Sequence, residues 1–198
     1  MSEVAEKEYI CVVNKSDKNV MKTLVVVGHP HIATSVINKA WTEAVQSLRS
    51  EDVTVHVLED AIRADGTFDL RAEQELISAA DRIILQFPLY WYMPPGIMVE
   101  WMDTVWAEHW AWGEGGDAMV GKRIDAAVSC GAPEVAFRAT TLREYLAFVK
   151  GSAAFVRAEG GCFHAFYDAE GERTEERLTA NVEEYKRFVL DQTSGDKL

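Results

Sequence analysis

The sequence has little of what staples a chain, chelates a metal or grips a polyanion. Its three cysteines, Cys11, Cys130 and Cys162, lie far apart and form no C-x-x-C pair. They suggest neither a disulfide framework nor a zinc site, and they fit a reducing compartment. His31, His56, His109 and His164 show no ligand spacing, so packed or surface roles are assigned to them and no metal is expected. Lys and Arg number 20 against 32 Asp and Glu, a net charge of −12. Such a field repels phosphate backbones and anionic membrane surfaces, which argues against nucleic acid as a partner. It leaves room for a nucleotide cofactor, because a few local donors overcome a distant net charge. The apolar runs are of strand length, well short of the roughly 20 residues a membrane helix needs. The opening MSEVAEKEYICVVNKSDKNVMK is acidic and lacks the basic start and apolar run of a signal peptide. A cytoplasmic protein is therefore expected. There is no Walker A sequence, and no G-x-G-x-x-G follows the first apolar run, so any phosphate needs another cradle.

What is present is alternation. The 198 residues suffice for one substantial core. From Lys22 onward, short continuous apolar runs alternate with segments of helical period, as a parallel sheet covered on both faces requires. The runs Thr23–Gly28, Val53–Leu58, Arg82–Phe87, about Arg123–Ser129 and about Gly161–Tyr167 read as five strands. Helices are expected over Ser35–Arg49, Arg71–Ala80, from Pro94–Pro95 through Trp106, about Phe137–Val149, and Thr174–Leu190. Right-handed crossovers then predict an α/β, doubly wound, five-stranded parallel sheet of order 2-1-3-4-5. One domain over residues 22–190 is expected, with a polar tail at 191–198 and an extension at 1–21. In that extension Tyr9–Asn14 (YICVVN) can add an edge strand and Met21 can serve as an alternative start.

In such a sheet, ligands bind beyond the carboxyl ends of the strands where the order reverses. Three loops reach that point. After strand one, His29 and Pro30 lead to Ser35, Val36, Ile37 and Asn38 at a helix start. Free N–H groups and the dipole there suit a phosphate, with the Ser35 hydroxyl and Asn38 amide as further donors. Ser35 equally suits a plain N-cap. After strand three come Pro88, Leu89, Tyr90, Trp91 and Tyr92. Three consecutive aromatics suit a flat heteroaromatic ring or a dimer interface, and the two are compatible. After strand four, Ser129, Cys130, Gly131 and Ala132 are small enough to let backbone N–H groups approach a ligand and stabilise charge on it.

These loops, in this order, resemble the NAD(P)H:quinone oxidoreductase branch of the flavodoxin-like superfamily, above all the general stress protein 14 group and the quinone reductase subunits of glutathione-gated potassium efflux systems. The resemblance spans about Lys22 to Leu190 and rests on H-P-x4-S-x2-N at His29–Asn38, AEQELISAADRIILQFPLYWYMPP at Ala72–Pro95 and HWAWGEGGDAMVGKR at His109–Arg123. It implies a flavodoxin-like fold and FMN as cofactor, with FAD a lesser candidate and NADPH or NADH as donor. By position, His29 and Ser35–Asn38 would hold the phosphate and ribityl end. Pro88, Leu89, Tyr90, Trp91 and Tyr92 would contact the isoalloxazine, and Ser129, Cys130, Gly131 and Ala132 would close over its pyrimidine side. The resemblance further implies a homodimer whose interface forms the acceptor pocket, with Trp106, Trp110, Trp112 and Phe137 as walls, and association with a potassium efflux protein.

The third loop departs from the family pattern. Relatives commonly read T-T-G-G and then a tyrosine, whereas this chain has Ser129, Cys130, Gly131, Ala132 and then Phe137. The missing hydroxyl implies slower hydride transfer or an altered acceptor choice. Asp125, a carboxylate inside a strand expected to be buried, calls for an edge or interface partner. The activity implied is ping-pong, two-electron hydride transfer from NAD(P)H to quinones, carried by the flavin and not by a side chain. A flavin-holding regulatory partner with weak turnover and a flavodoxin-type single-electron carrier are the alternatives.

Overall fold

A computed structural model describes residues 21–191 and 195–198. The edge strand expected over residues 9–14 lies outside the described residues. Strand β1 (Thr23–Val27) is flanked by β2 (Val53–Val57) and β3 (Arg82–Pro88), followed outward by β4 (Arg123–Ser129) and β5 (Glu159–Phe166), all parallel. The helices are α1 (Ile37–Ser47), α2 (Leu58–Ala61), α3 (Leu70–Ser78), α4 (Gly96–Val105), α5 (Leu142–Tyr145), α6 (Ala147–Phe155) and α7 (Thr174–Leu190). The predicted order 2-1-3-4-5 is present.

The alternation of strand residues sorts the core into two layers. Leu24, Val26, Ile83, Leu85, Ile124 and Ala126 face α3, α4 and α6, where Ile77, Met98, Trp101 and Val149 meet them. Val25, Val27, Ile84 and Ala127 face α1 and α7, through Trp41, Val45, Tyr185 and Phe188. Both faces of the central strands are covered, which is why β1 and β3 are apolar almost without interruption. No described helix is long and apolar enough to cross a membrane.

The structure corrects the sequence reading in three places. The sheet has six strands, because the tail returns as β6 (Asp196–Lys197), antiparallel to β5. Gly195 permits the return: its φ is +115°, and a Cβ there would stand 2.8 Å from the Phe188 ring and 2.9 Å from the Phe163 carbonyl. Leu198 then packs on the core and donates its N–H to Gly161 O at 3.0 Å. The single helix expected over about Phe137–Val149 is instead a 3-10 turn at Glu134–Phe137 followed by α5 and α6. A capping box made by Thr141 and Glu144 starts α5 and resets the helix register there. Finally, Leu58 belongs to the short helix α2, where it is fully buried.

Asp125 acquires a physical account. It sits where the β4–β5 register shifts, and its carboxylate accepts from Arg82 Nε at 2.5 Å, Arg123 Nε at 2.9 Å and the Cys162 N–H at 2.6 Å. Its partners come from within the sheet and not from an interface. Arg82 Nη1 continues to the Phe188 and Val189 carbonyls, tying the last turn of α7 to the amino ends of β3 and β4.

Candidate functional site

At the opposite, carboxyl ends of β1, β3 and β4, the three loops converge. Gly28 leaves β1 with its N–H on Gln86 O at 2.8 Å, and a Cβ there would fall 2.6 Å from Met98 of α4. The chain then makes a 3-10 turn, Ile32–Thr34, anchored by the Ile32 N–H on Glu59 Oε2 at 2.7 Å. Ser35 is extended, and its Oγ accepts the Asn38 N–H at 3.2 Å. Ser35 thus does cap α1. Among the described residues the Val36 and Ile37 N–H groups find no acceptor, so the dipole end stays open beside the cap. His29 Nδ1 accepts the His31 N–H at 3.0 Å, which fixes the proton of the neutral ring on Nε2, a donor. Desolvation lowers the His29 pKa, favouring that neutral form.

The second loop is a two-residue hairpin turn. Tyr90 and Met93 exchange backbone hydrogen bonds at 2.9 and 3.0 Å, with Trp91 at φ +50° and Tyr92 at φ +64° between them. Such turns favour Asn-Gly, and large aromatics there carry strain. Trp91 is 90% exposed. Tyr92 stacks on Tyr145 at 4.4 Å and meets Phe137 edge-on at 6.2 Å, while the Tyr90 ring stands 6.4 Å from His29. The first and second loops are therefore in register around one opening.

The third loop is bound to the other two. Leu89 donates its N–H to Ser129 O at 2.8 Å, and Asn38 Nδ2 donates to Ser129 Oγ at 2.9 Å. Asn38, placed by its helix-start position as a phosphate donor, is 1% exposed and braces the first loop to the third. Gln86 supports it from beneath, donating to the Asn38 carbonyl and to Thr42 Oγ1, each at 3.0 Å, while accepting from Tyr185 Oη at 2.7 Å. Asn38 Oδ1 is buried without a partner. Beyond Ser129, the Cys130 and Ala132 carbonyls are occupied by the Ala169 and Asp168 N–H groups, both at 3.0 Å, whereas the Gly131 and Ala132 N–H groups have no acceptor among the described residues. Burial raises the Cys130 thiol to about 12, so it is a packed neutral group and not a nucleophile.

Leu89, Trp91, Tyr92, Cys130, Gly131, Ala132 and Phe137 line one open cavity of about 220 Å³. Sequence reasoning assigned the first six to ring binding; the geometry adds Phe137, which it had placed with the acceptor walls. Those walls are not gathered. Trp106 and Trp112 line a separate groove of about 690 Å³ between α4 and α6, with Met102, Phe148 and Phe155. The Trp112 Nε1–H donates to Trp106 O at 2.8 Å, and Trp110 lines neither cavity. The split follows from α4, which ends at Val105 and carries the Trp106–Trp112 segment away from Phe137 on the 3-10 turn after β4. Tyr145, stacked on Tyr92, was missed because the expected helix over its segment hid its approach to the loop.

The open amides at Val36, Ile37, Gly131 and Ala132, the His29 donor and the aromatic turn fit a phosphorylated ligand with a flat polar ring. FMN has this form. Residues 21–189 match the family described as flavodoxin-like fold. The chain is 48% identical over 119 residues to the uncharacterized NAD(P)H oxidoreductase YdeQ of Bacillus subtilis (strain 168), a match covering 60% of this chain and 59% of that protein. The general stress protein 14 of Treponema denticola, solved in complex with FMN, superposes with a TM-score of 0.79 at 31% identity over 85% of this chain and 97% of that one. A protein described as a thermophilic tryptophan halogenase (Th-Hal) from Streptomycin violaceusniger superposes equally, with a TM-score of 0.79 at 32% identity over 85% and 98% of the two chains. Overall shape thus leaves the chemistry to the loops. By sequence, by strand order and by the placing of these loops, the chain belongs to the flavodoxin-like fold family.

Proposed function

We propose that the protein is a cytoplasmic, FMN-dependent NAD(P)H dehydrogenase that reduces quinone-type acceptors by alternating two-electron transfers. The observation that carries the reading is the joining of the three strand-end loops by the Asn38–Ser129 and Leu89–Ser129 bonds, beside a cavity that the second and third loops line. NAD(P)H oxidoreductase is the description of the relative YdeQ, and FMN is bound by the general stress protein 14 of T. denticola.

Bound flavin supplies the capacity to take up and give back hydride, so one pocket serves donor and acceptor in turn. The chain's own residues supply position and charge. Ser35, Val36, Ile37 and the His29 Nε2–H take the phosphate end. Leu89, Tyr90, Trp91 and Tyr92, with Pro88 setting the turn, hold the ring. The Gly131 and Ala132 N–H groups stabilise negative charge on its pyrimidine side, with Cys130 as apolar packing beneath. Phe137, ringed by Tyr92, Tyr145 and Tyr167, keeps the cavity wall dry and contributes no proton. The Trp106–Trp112 groove completes an acceptor pocket when a second copy of the chain is apposed.

Protein purified without added cofactor is expected to be yellow, to release FMN on denaturation, and to reduce menadione with NADPH or NADH with parallel double-reciprocal plots. A colourless chain that takes up no added FMN overturns the reading. Phe137 favours one second reading, a flavin-holding regulatory subunit of a potassium efflux system. Bound FMN with negligible menadione turnover would support it.

A further inference from the structure

A third cavity, of about 630 Å³, lies beyond Phe137, between the segment that follows β4 and the β5–β6 border. Phe137 is the wall it shares with the loop cavity. Its charged lining consists of Arg138 and Arg143 on one side of the ledger and Glu134 and Asp196 on the other. In a protein this acidic, arginines find carboxylates or carbonyls readily. Arg63, Arg71, Arg82, Arg123, Arg157, Arg173, Arg177 and Arg187 all do. Among the arginines of the described residues, only the guanidinium groups of Arg49, Arg138 and Arg143 make no hydrogen bond or ion pair, and two of these three line this one cavity.

Glu134 and Asp196 line the same cavity, yet among the described residues neither forms an ion pair with Arg138 or Arg143. The neighbouring Glu144 is committed elsewhere: its Oε2 accepts from the Thr141 N–H at 2.6 Å and from Thr141 Oγ1 at 2.8 Å, and these bonds lower its pKa. Two unpaired guanidinium groups beside the apolar surface of Val135 and Leu142 form a receptor for a phosphate carried on a ring system.

We infer that this cavity receives the 2′-phosphorylated adenosine end of NADPH, with Arg138 and Arg143 on the phosphate, so that the protein prefers NADPH to NADH. The inference rests on the function proposed above. A dinucleotide whose nicotinamide meets the flavin at the mouth of the loop cavity passes Phe137 to reach the arginines, and only the 2′-phosphate gives them a dianion to hold.

Calorimetric titration of the FMN-loaded protein with NADP+ and NAD+ tests this. NADP+ is expected to bind at least about ten times more tightly, the ordinary worth of charge-assisted hydrogen bonds. The double variant Arg138→Ala/Arg143→Ala should erase that ratio while leaving FMN affinity, read by flavin fluorescence, unchanged. Arg138→Lys/Arg143→Lys should restore most of it. Equal affinities in the unmodified protein, or a ratio that survives the alanine pair, overturn the inference even when FMN is bound. Should the chain take up no FMN, the proposed function falls. Titration with 2′,5′-ADP then still decides the cavity: binding lost in the alanine pair supports it, and no binding sinks it.

Discussion

Arg82 and Asp125 meet diagonally across adjacent strands with neither side chain exposed, Nε donating to Oδ2 at 2.5 Å. A buried pair of this kind adds little net stability, yet removing one partner strands the other charge away from water. Asp125→Ala should therefore cost about 3–5 kcal/mol in urea unfolding. The double replacement Arg82→Met/Asp125→Leu should recover only part of that loss, because the bonds these two side chains make to Arg123 Nε, the Cys162 N–H and the Phe188 and Val189 carbonyls are lost as well. FMN affinity of the double variant should be unchanged, because the pair lies at the amino ends of β3 and β4, away from the loops.

The aromatic turn gives a prediction of opposite sign. Trp91 is held at positive φ and is almost wholly exposed, so it contributes strain and little packing. Trp91→Gly should raise thermal stability by about 1–2 kcal/mol, the penalty of a left-handed non-glycine residue. The same change should weaken FMN binding, measured by fluorescence quenching. Loss of both stability and binding would show that the turn is not strained.

Removing the brace between loops should act on the ligand more than on the fold. Asn38→Ala leaves Ser129 Oγ without its donor and frees the third loop from the first, while the Gln86 bond to the residue 38 backbone carbonyl remains. FMN affinity is expected to fall about tenfold or more, since one buried hydrogen bond and the order it enforces are lost.

His164 gives a pH dependence. It is stacked between Trp41, Tyr185 and Phe188, shares Asn181 Oδ1 with the Trp41 Nε1–H, and has its pKa lowered from 6.5 chiefly by desolvation. Below 6.5 the unfolded chain takes up a proton that the folded ring refuses. Stability should therefore hold above that value and decline as pH falls from 6.5 towards the lower folded value. His164→Phe should flatten the decline in melting temperature between about pH 7 and 5.

Cys130 and Cys162 should resist alkylation. Burial raises both thiols, Cys130 to about 12, and leaves neither sulfur open to reagent. Iodoacetamide at pH 8 should leave both unmodified in the folded protein by peptide mapping and label them after unfolding.

The strand order was legible because β1 and β3 are buried on both faces and so carry uninterrupted apolar runs, and the three loops followed from where those runs stop. Other features depended on information that periodicity does not carry. The tail strand depends on Gly195 fitting between Phe188 and the Phe163 carbonyl, a tertiary coincidence invisible in a polar stretch. The break between α5 and α6 was written in Thr141 and Glu144, a capping box that the apolar spacing across it overrode in the reading. Asn38 was assigned to a phosphate because its position at a helix start is visible in sequence, whereas its burial against Ser129 is not. Asp125 was recognised as anomalous, but its partners come from Arg82, 43 residues earlier, and from a bulge. Arg138 and Arg143 carried no motif. What singles them out is the absence of a counter-ion among the described residues, a property of the fold and not of the sequence.

The antiparallel pairing of Asp196 and Lys197 with β5 has a bearing on solubility. A parallel sheet that ended on β5 would offer a row of unsatisfied amides and carbonyls on which another molecule's extended segment could template itself. Two polar residues laid the other way, one of each charge, occupy part of that row and make a poor landing for more. Shortening the chain before Gly195 would therefore be felt first as self-association on storage, before any loss of catalysis.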